Sequence, residues 1–145
     1  MFLGEYEYKV DSKGRLPLPP KFRQELLSGL VLTRGAEQCI IAYPKAEFEK
    51  ISSALAPETI IENEQRRKLK RAIFSSAEEI SIDGQGRIAL QSRLKEYAQI
   101  KDTAIVAGIN NRIEIWNPDT WNSERVAAEE QMYQIIEKES LESTQ

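Results

Sequence analysis

The chain contains two copies of one short motif, and this internal repeat constrains the fold more than any other feature of the sequence. The copies read VDSKGRLPLPPKFRQEL at residues 10–26 and IDGQGRIALQSRLKEYA at residues 82–98. At an offset of 72 residues the motif Asp-x-x-Gly-Arg coincides: Asp11 with Asp83, Gly14 with Gly86, and Arg15 with Arg87. The chain has 145 residues, so the repeat predicts two related units of roughly 70 residues that share one core.

The residues of each copy predict a strand, a tight turn and a second strand. An Asp side chain accepts hydrogen bonds from nearby backbone amides, and glycine adopts the positive φ that such a turn requires. After the turn, Leu16 and Leu18 alternate with Pro17, which is the period of a half-buried strand. Because Pro17 lacks an N–H group, this strand is expected at an edge or a bulge.

The rest of each copy predicts a short helical turn, a strand pair and closing helices. The helical turns are expected at residues 20–26 and 92–98, and the strand pairs at 30–34 with 39–43 and at 103–107 with 112–116. Helices are expected at residues 44–55 and 57–74 and from Pro118 onward. The aromatic side chains of these segments are predicted to lie in the core rather than to contact a cofactor.

Several functional classes are disfavoured by the residue types present. The sequence has no histidine, and its one cysteine, Cys39, lies in an apolar run that predicts a buried structural residue. We therefore expect no metal, no cofactor, no small-molecule substrate and no enzymatic activity. The chain has neither a membrane-spanning apolar stretch nor a signal-peptide pattern, so a cytoplasmic location is expected.

The net charge of −3 argues at first against nucleic-acid binding, but the charge is unevenly distributed. Residues 123–145 carry 6 acidic and 2 basic side chains, a net −4. Residues 9–23 carry five basic side chains and one acidic side chain, a net +4. Since salt screens charges beyond about 8–10 Å, the basic segment can bind phosphates despite the distant acidic one.

The motifs of both halves resemble those of the MraZ proteins. The first half has Met1-Phe2-x-Gly4, Asp11-Ser12-Lys13-Gly14-Arg15-Leu16 and Pro19-x-x-Phe22-Arg23. The second half has Phe74-Ser75-x-Ala77, Asp83-Gly84-Gln85-Gly86-Arg87-Ile88, Tyr97-Ala98, Gly108 and Ile113-Glu114-Ile115-Trp116. Two motifs 72 residues apart, each with its expected flanks, make the resemblance specific over residues 1–122.

The resemblance implies a fold and a division of the chain. MraZ proteins are related to AbrB-type swapped-hairpin proteins, so we expect a β-rich α+β fold. In it, two pseudo-symmetric AbrB-like repeats interlock in one small β-barrel with peripheral helices. Residues 1–74 would hold the first repeat and a connecting helix, residues 75–122 the second repeat, and residues 123–145 an acidic C-terminal helix or tail.

The resemblance also implies a function. MraZ proteins are bacterial transcriptional regulators of the division and cell-wall gene cluster, and their own gene opens that cluster. They assemble into rings that bind short direct repeats in promoter DNA. The expected partners are therefore double-stranded DNA and further copies of the chain, and the expected location is the nucleoid. The alternative is a non-DNA scaffold or an antitoxin-like protein-interaction module, for which the acidic tail could bind a partner.

The candidate DNA-binding residues lie in and beside the two motifs. We expect direct contact from Arg15 and a smaller contribution from Arg87. Phosphate contacts are expected from the basic residues nearby, Lys13, Lys21 and Arg23. The remaining motif residues are expected to be structural: Asp11, Gly14, Asp83 and Gly86.

Other interpretations of these basic residues stay open. Each motif arginine could simply bond the aspartate four residues earlier, and the nearby basic residues could form a solvated face. The second copy has Gln85 in place of Lys13 and a net charge of only +1 over residues 82–98, so the first copy is expected to dominate. The basic run at residues 66–71 is interpreted as a solvated or subunit-contact helix, with Glu62 and Glu64 pairing to Arg66 and Lys68.

Overall fold

The structure, a computed structural model, describes residues 1–55 and 62–143. Their eight strands are β1 (Phe2–Lys9), β2 (Arg15–Pro17), β3 (Leu30–Arg34), β4 (Ile40–Pro44), β5 (Glu78–Ile80), β6 (Arg87–Ala89), β7 (Thr103–Asn110) and β8 (Ile113–Trp116). Their five α-helices are α1 (Pro20–Arg23), α2 (Lys45–Leu55), α3 (Glu64–Ser76), α4 (Ser92–Tyr97) and α5 (Pro118–Ser143). The protein is therefore an α+β protein, as the sequence predicts.

Six strands form one antiparallel sheet in the order β1-β7-β8-β4-β3-β5. The hairpins β3–β4 and β7–β8 lie side by side because β4 pairs with β8, with Ile41 opposite Glu114. The strand from the start of the chain, β1, pairs with β7, and β5 pairs with β3. Each half of the sequence thus adds a strand to the hairpin of the other half.

The other two strands form a separate ribbon, and this arrangement differs from the predicted barrel. The strands β2 and β6 have three residues each and pair with one another. Within the described residues, β1 and β5 remain the two edges of the six-stranded sheet, so the strand pairing does not close. The prediction of one closed barrel is not confirmed, because the ribbon strands pair with each other instead of bridging these edges.

The core lies between the sheet, the ribbon and the short helices. Leu16 and Ile88, which face each other in the ribbon, are both buried, and Phe22 of α1 is buried against them in the same cluster. The rings of Phe2 and Tyr6 meet Phe22 edge-to-face at 5.2 and 5.6 Å between centroids. Cys39 is also buried, and burial raises the pKa of its thiol to about 12, which keeps the thiol protonated and inert.

The predicted elements are found, with shifted boundaries that have local causes. The strand β7 continues through residues predicted to be a loop, because Gly108 pairs with Gly4 and extends the ladder. The helix α3 begins at Glu64, since the Asn63 side chain accepts a hydrogen bond from the Arg66 N–H at 2.8 Å. The predicted start of this helix at Pro57 lies outside the described residues.

The last helix, α5, begins on the body of the protein and extends away from it. Trp121 packs on the buried Trp116 with 5.7 Å between ring centroids. From residue 128 to residue 142 every side chain is exposed. Tyr133 is 73% exposed, so the prediction that the aromatic residues lie in the core is wrong for this one, because none of the described elements covers it. In the described part of the chain, no helix is both long and apolar enough to span a membrane.

Candidate nucleic-acid interface

The first motif forms a turn organised by the Asp11 carboxylate. One oxygen, Oδ1, accepts hydrogen bonds from the backbone N–H groups of Lys13 and Arg15, both at 2.9 Å. The other oxygen, Oδ2, accepts from Nε of the Arg15 side chain at 2.7 Å. Gly14 completes the turn with φ of +76°, a conformation that residues with a Cβ rarely adopt.

The second motif repeats this arrangement bond for bond. Asp83 Oδ1 accepts from the N–H groups of Gln85 and Arg87 at 2.9 Å, and Oδ2 accepts from Arg87 Nε at 3.0 Å. Gly86 has φ of +77°. In both turns the aspartate therefore fixes the backbone and the arginine side chain together.

Backbone hydrogen bonds join the two turns through the ribbon. The Leu18 N–H donates to the Gly86 carbonyl at 3.0 Å, and the Leu90 N–H donates to the Gly14 carbonyl at 2.8 Å. Leu90 is the counterpart of Leu18, and Gly14 is the counterpart of Gly86, at the offset of 72 residues seen in the sequence. Each of the two bonds is therefore the counterpart of the other. The contacts therefore have an approximate twofold relation centred on the facing pair of Leu16 and Ile88.

The ribbon presents both motif arginines on one face. Because side chains alternate along a strand, the burial of Leu16 and Ile88 directs the neighbouring residues outward. Arg15 and Arg87 are diagonal neighbours on that outer face, since Arg15 lies opposite Ala89 in the register. Their side chains are 35% and 23% exposed, so Arg15 is the more accessible of the two.

Asp11 is the electrostatic centre of this face. Besides its bonds to Arg15, its Oδ2 atom lies 3.7 Å from Nη1 of Arg87. The backbone hydrogen bond from Arg15, with the further hydrogen bonds and the positive charge around it, lowers the pKa of Asp11 from 3.8 to about 2. The pKa of Asp83 is also lowered, chiefly by the Arg87 backbone hydrogen bond. Both carboxylates therefore stay ionised at neutral pH and hold the arginines in place.

The three other predicted basic residues have different environments. Lys13 is exposed at the tip of the first turn, and no described residue holds its ammonium group. Lys21 is exposed on α1 with its Nζ atom 5.4 Å from the centre of the Tyr6 ring. Arg23 is only partly exposed, and its Nε and Nη2 atoms donate to the Leu18 carbonyl at 3.0 and 2.9 Å. Arg23 thus has a structural contact that its sequence position did not predict.

Arg23 and Lys95 occupy equivalent positions in the two copies of the motif, although the sequence patterns did not predict them to act as a pair. A Cβ atom on Gly86 would overlap the guanidinium of Arg23, and a Cβ atom on Gly14 would lie 3.8 Å from Lys95 Nζ. Each basic side chain therefore packs against the glycine turn of the other motif. The two residues are 72 positions apart, so the repeat offset itself was the signal that could have found them.

The basic run at residues 66–71 is paired with acidic residues, as predicted. Arg66 lies 3.6 Å from Glu62, and Lys68 lies 3.1 Å from Glu64. Lys70 also lies 3.0 Å from Glu62. This partial neutralisation makes α3 a weaker candidate for phosphate contact than the ribbon face.

The fold and the ribbon define a small α+β protein that presents two aspartate-held arginines on one exposed face. Among residues 1–55 and 62–143, no group of three or more metal-ligating side chains is close enough to hold a metal ion. A family profile described as “MraZ protein, putative antitoxin-like” matches residues 1–71 and 73–141. The chain belongs to the MraZ family.

Individual relatives match over most of the chain. A protein named Transcriptional regulator MraZ from Dehalococcoides mccartyi is 49% identical over 138 residues, which cover 94% of this chain and 96% of the relative. A protein of the same name from Roseiflexus castenholzii is 42% identical, with 85% of this chain and 85% of the relative covered. Another from Lactobacillus gasseri is also 42% identical, with 94% of this chain and 95% of the relative covered. These names describe regulators and not enzymes.

Proposed function

We propose that this protein is a transcriptional regulator that binds double-stranded DNA through the outer face of the β2–β6 ribbon. The observation that carries the proposal is that Arg15 and Arg87 lie side by side on one face of the ribbon, each held by the aspartate of its own turn. The name of the relatives, Transcriptional regulator MraZ, supports the same role. The proposal includes no catalytic step, cofactor or small-molecule substrate.

The geometry of the ribbon suits the major groove of DNA. A two-stranded ribbon fits in the groove, which is about 12 Å wide. The Nε atom of Arg15 donates its hydrogen bond to Asp11. The two terminal nitrogens of Arg15 make no hydrogen bond within the part of the chain that the structure describes. These nitrogens can donate to a guanine edge or to a phosphate group. Arg87 contributes less, because it is less exposed and also lies near Asp11.

The remaining basic residues have supporting parts in this proposal. Lys13 at the turn tip and Lys21 on α1 are exposed and can contact phosphates on either side of the groove. Arg23 acts as a positioning residue, because its hydrogen bonds to the Leu18 carbonyl brace the backbone just after β2, the strand that begins with Arg15. Asp11, Asp83 and the two turn glycines set the shape of the face.

The proposed assembly multiplies this small interface. We infer that residues 1–74 and 75–122 are two interlocked repeats, that residues 123–145 are an acidic C-terminal helix or tail, and that several chains form a ring on the nucleoid in the cytoplasm. One ribbon offers few base contacts, and each good arginine–guanine pair discriminates by about 1–3 kcal/mol. Several ribbons on neighbouring direct repeats of the division-cluster promoter would add avidity without new contacts.

The test is footprinting on the DNA upstream of the protein's own gene. The wild-type protein should protect short, regularly spaced direct repeats, and Arg15→Ala should lose the protection while keeping its oligomeric state in size-exclusion chromatography. Arg87→Ala should weaken binding less. Arg125→Ala on α5 is the matched control and should bind like the wild type. Full protection by Arg15→Ala would show that the ribbon face is not the DNA site.

A second candidate function is favoured by the exposed end of α5. Met132, Ile135 and Ile136 are about half exposed there, which suits contact with a protein partner in a scaffold or antitoxin-like module. Retention on heparin at low salt, with elution at moderate salt, supports the DNA-binding function. Flow-through at low salt supports the scaffold.

A further inference from the structure

A cavity of about 400 Å³ opens beside the end of β3. None of the residues that line it belongs to the ribbon face. Its walls come from β3, β4, α2, α3 and α4, and they are mainly apolar. The side chains that matter to the argument are Ile41, Ile51, Leu69, Ile73, Tyr43 and Tyr97. The volume is within the range of small-molecule sites, about 300–1,000 Å³.

Arg34 brings a positive charge to this apolar cavity. Its Nε atom is buried and has no hydrogen-bond partner, and within the described residues its guanidinium makes no ion pair. The guanidinium carbon lies 5.4 Å from the centre of the Tyr97 ring. By contrast, the buried carboxylate of Glu114 in β8 is bonded to both Arg112 and Trp116. A buried donor without an acceptor is destabilising, so the Nε atom of Arg34 would gain from a ligand atom that accepts its hydrogen bond.

Hydrogen bonds hold the walls around Arg34 in position. Thr33 Oγ1 donates to the Ile73 carbonyl at 2.8 Å and lies 3.1 Å from Ser76 Oγ, which ties β3 to α3. Tyr97 Oη donates to the Gly35 carbonyl, which ties α4 to the turn after β3. The cavity is therefore formed before any ligand enters, and little ordering is needed on binding.

We propose that this cavity binds a small carboxylate that has an apolar tail. A carboxylate oxygen accepts the hydrogen bond that Arg34 Nε lacks and neutralises the guanidinium. The tail then packs on the aliphatic side chains of β4, α2 and α3, among them Ile41, Ile51 and Ile73. An anion without a tail leaves the apolar walls uncovered, and a neutral ligand leaves the charge unpaired. This site is independent of the proposed DNA contact, because none of its lining residues belongs to the ribbon or its turns.

The first experiment uses the wild-type full chain and compares probes by isothermal titration calorimetry. Octanoate should bind about fifteenfold more tightly than hexanoate, since each of its two additional methylenes contributes about fourfold. Octanoate should also bind at least about tenfold more tightly than octan-1-ol, which lacks the charge. Acetate should show no measurable binding. Equal affinity for octanoate and octan-1-ol, or no octanoate binding, overturns the proposal.

The second experiment assigns the binding to Arg34. Arg34→Met keeps an unbranched apolar stem and removes the guanidinium with its charge, so octanoate affinity should fall about tenfold or more while octan-1-ol affinity is unchanged. Arg125→Met, at a partly exposed arginine of α5, is the matched control and should bind octanoate like the wild type. Circular dichroism confirms that each variant is folded. Octanoate affinity that survives in Arg34→Met shows that the ligand binds elsewhere, which also overturns the proposal.

Discussion

The carboxylate of Asp11 lies 3.7 Å from the guanidinium of Arg87, although the two residues belong to different copies of the motif. Asp11 also accepts a hydrogen bond from Arg15 of its own copy. One carboxylate therefore touches both arginines of the ribbon face. Asp83 has ion pairs only with Arg87 among the described residues, so the two aspartates are not equivalent.

Asp11→Asn should reduce stability in a pH-dependent way. The pKa of Asp11 is about 2 in the folded protein against 3.8 as its ordinary value, so its ionised form stabilises the fold above about pH 4. This contribution is lost as the pH falls from about 4 to 2. The free energies of unfolding of wild type and Asp11→Asn, measured by urea titration at several pH values, should therefore converge at low pH. A difference that stays constant down to pH 2 contradicts the assignment.

Gly86→Ala should destabilise the protein, whereas Gly84→Ala should not. A Cβ atom at Gly86 is strained by φ of +77° and overlaps the Arg23 guanidinium, while nothing lies within 4 Å of a Cβ atom at Gly84. We expect a loss of about 1–3 kcal/mol for Gly86→Ala and a change within about 0.5 kcal/mol for Gly84→Ala. Thermal unfolding of both variants measures this, and equal melting temperatures would refute it.

Glu114→Ala should be among the most destabilising single substitutions in the sheet. Glu114 is buried and accepts hydrogen bonds from Arg112 Nη2 at 3.1 Å and from Trp116 Nε1 at 3.0 Å. Its removal leaves both donors unpaired, which is expected to reduce the free energy of unfolding by about 2–4 kcal/mol. Glu124→Ala on the exposed helix α5 is the control, and chemical denaturation compares the two. A loss no greater than that of the control contradicts the role of Glu114.

Lys13→Ala and Arg23→Ala should separate phosphate contact from structural support. If Lys13 contacts one phosphate, its removal should reduce the slope of log K against log salt concentration by about 0.9, with no change in melting temperature. Arg23→Ala should instead lower the melting temperature, because the Leu18 carbonyl loses two donors. Fluorescence anisotropy with labelled promoter DNA and thermal unfolding give the two readouts. An unchanged salt slope for Lys13→Ala removes it from the interface.

Local sequence patterns predicted most of the fold. The alternation around Pro17, the Asp-x-x-Gly-Arg turns and the two hairpins all depend on neighbouring residues, and the structure contains them. The predicted closed barrel is not confirmed, because the pairing between distant strands is set by the whole sheet and not by local patterns. Here β2 and β6 pair with each other rather than with the sheet edges.

The candidate site was predictable where its residues act within one turn. The bonds from Asp11 to Arg15 and from Asp83 to Arg87 span four residues, so the spacing alone suggested them. The contact of Asp11 with Arg87 and the packing of Arg23 on Gly86 join the two copies. Such contacts depend on how the copies meet, and no local pattern contains that information.

The twofold relation centred on Leu16 and Ile88 has a consequence for orientation. A ribbon made by two identical chains has equivalent ends and suits a palindromic site. In this protein one end carries Lys13 and the other Gln85, and one glycine turn is covered by Arg23 and the other by Lys95. Because both copies lie in a single chain, each can change without the other. The ribbon therefore has a polarity, and bound DNA sites would all be read in the same direction.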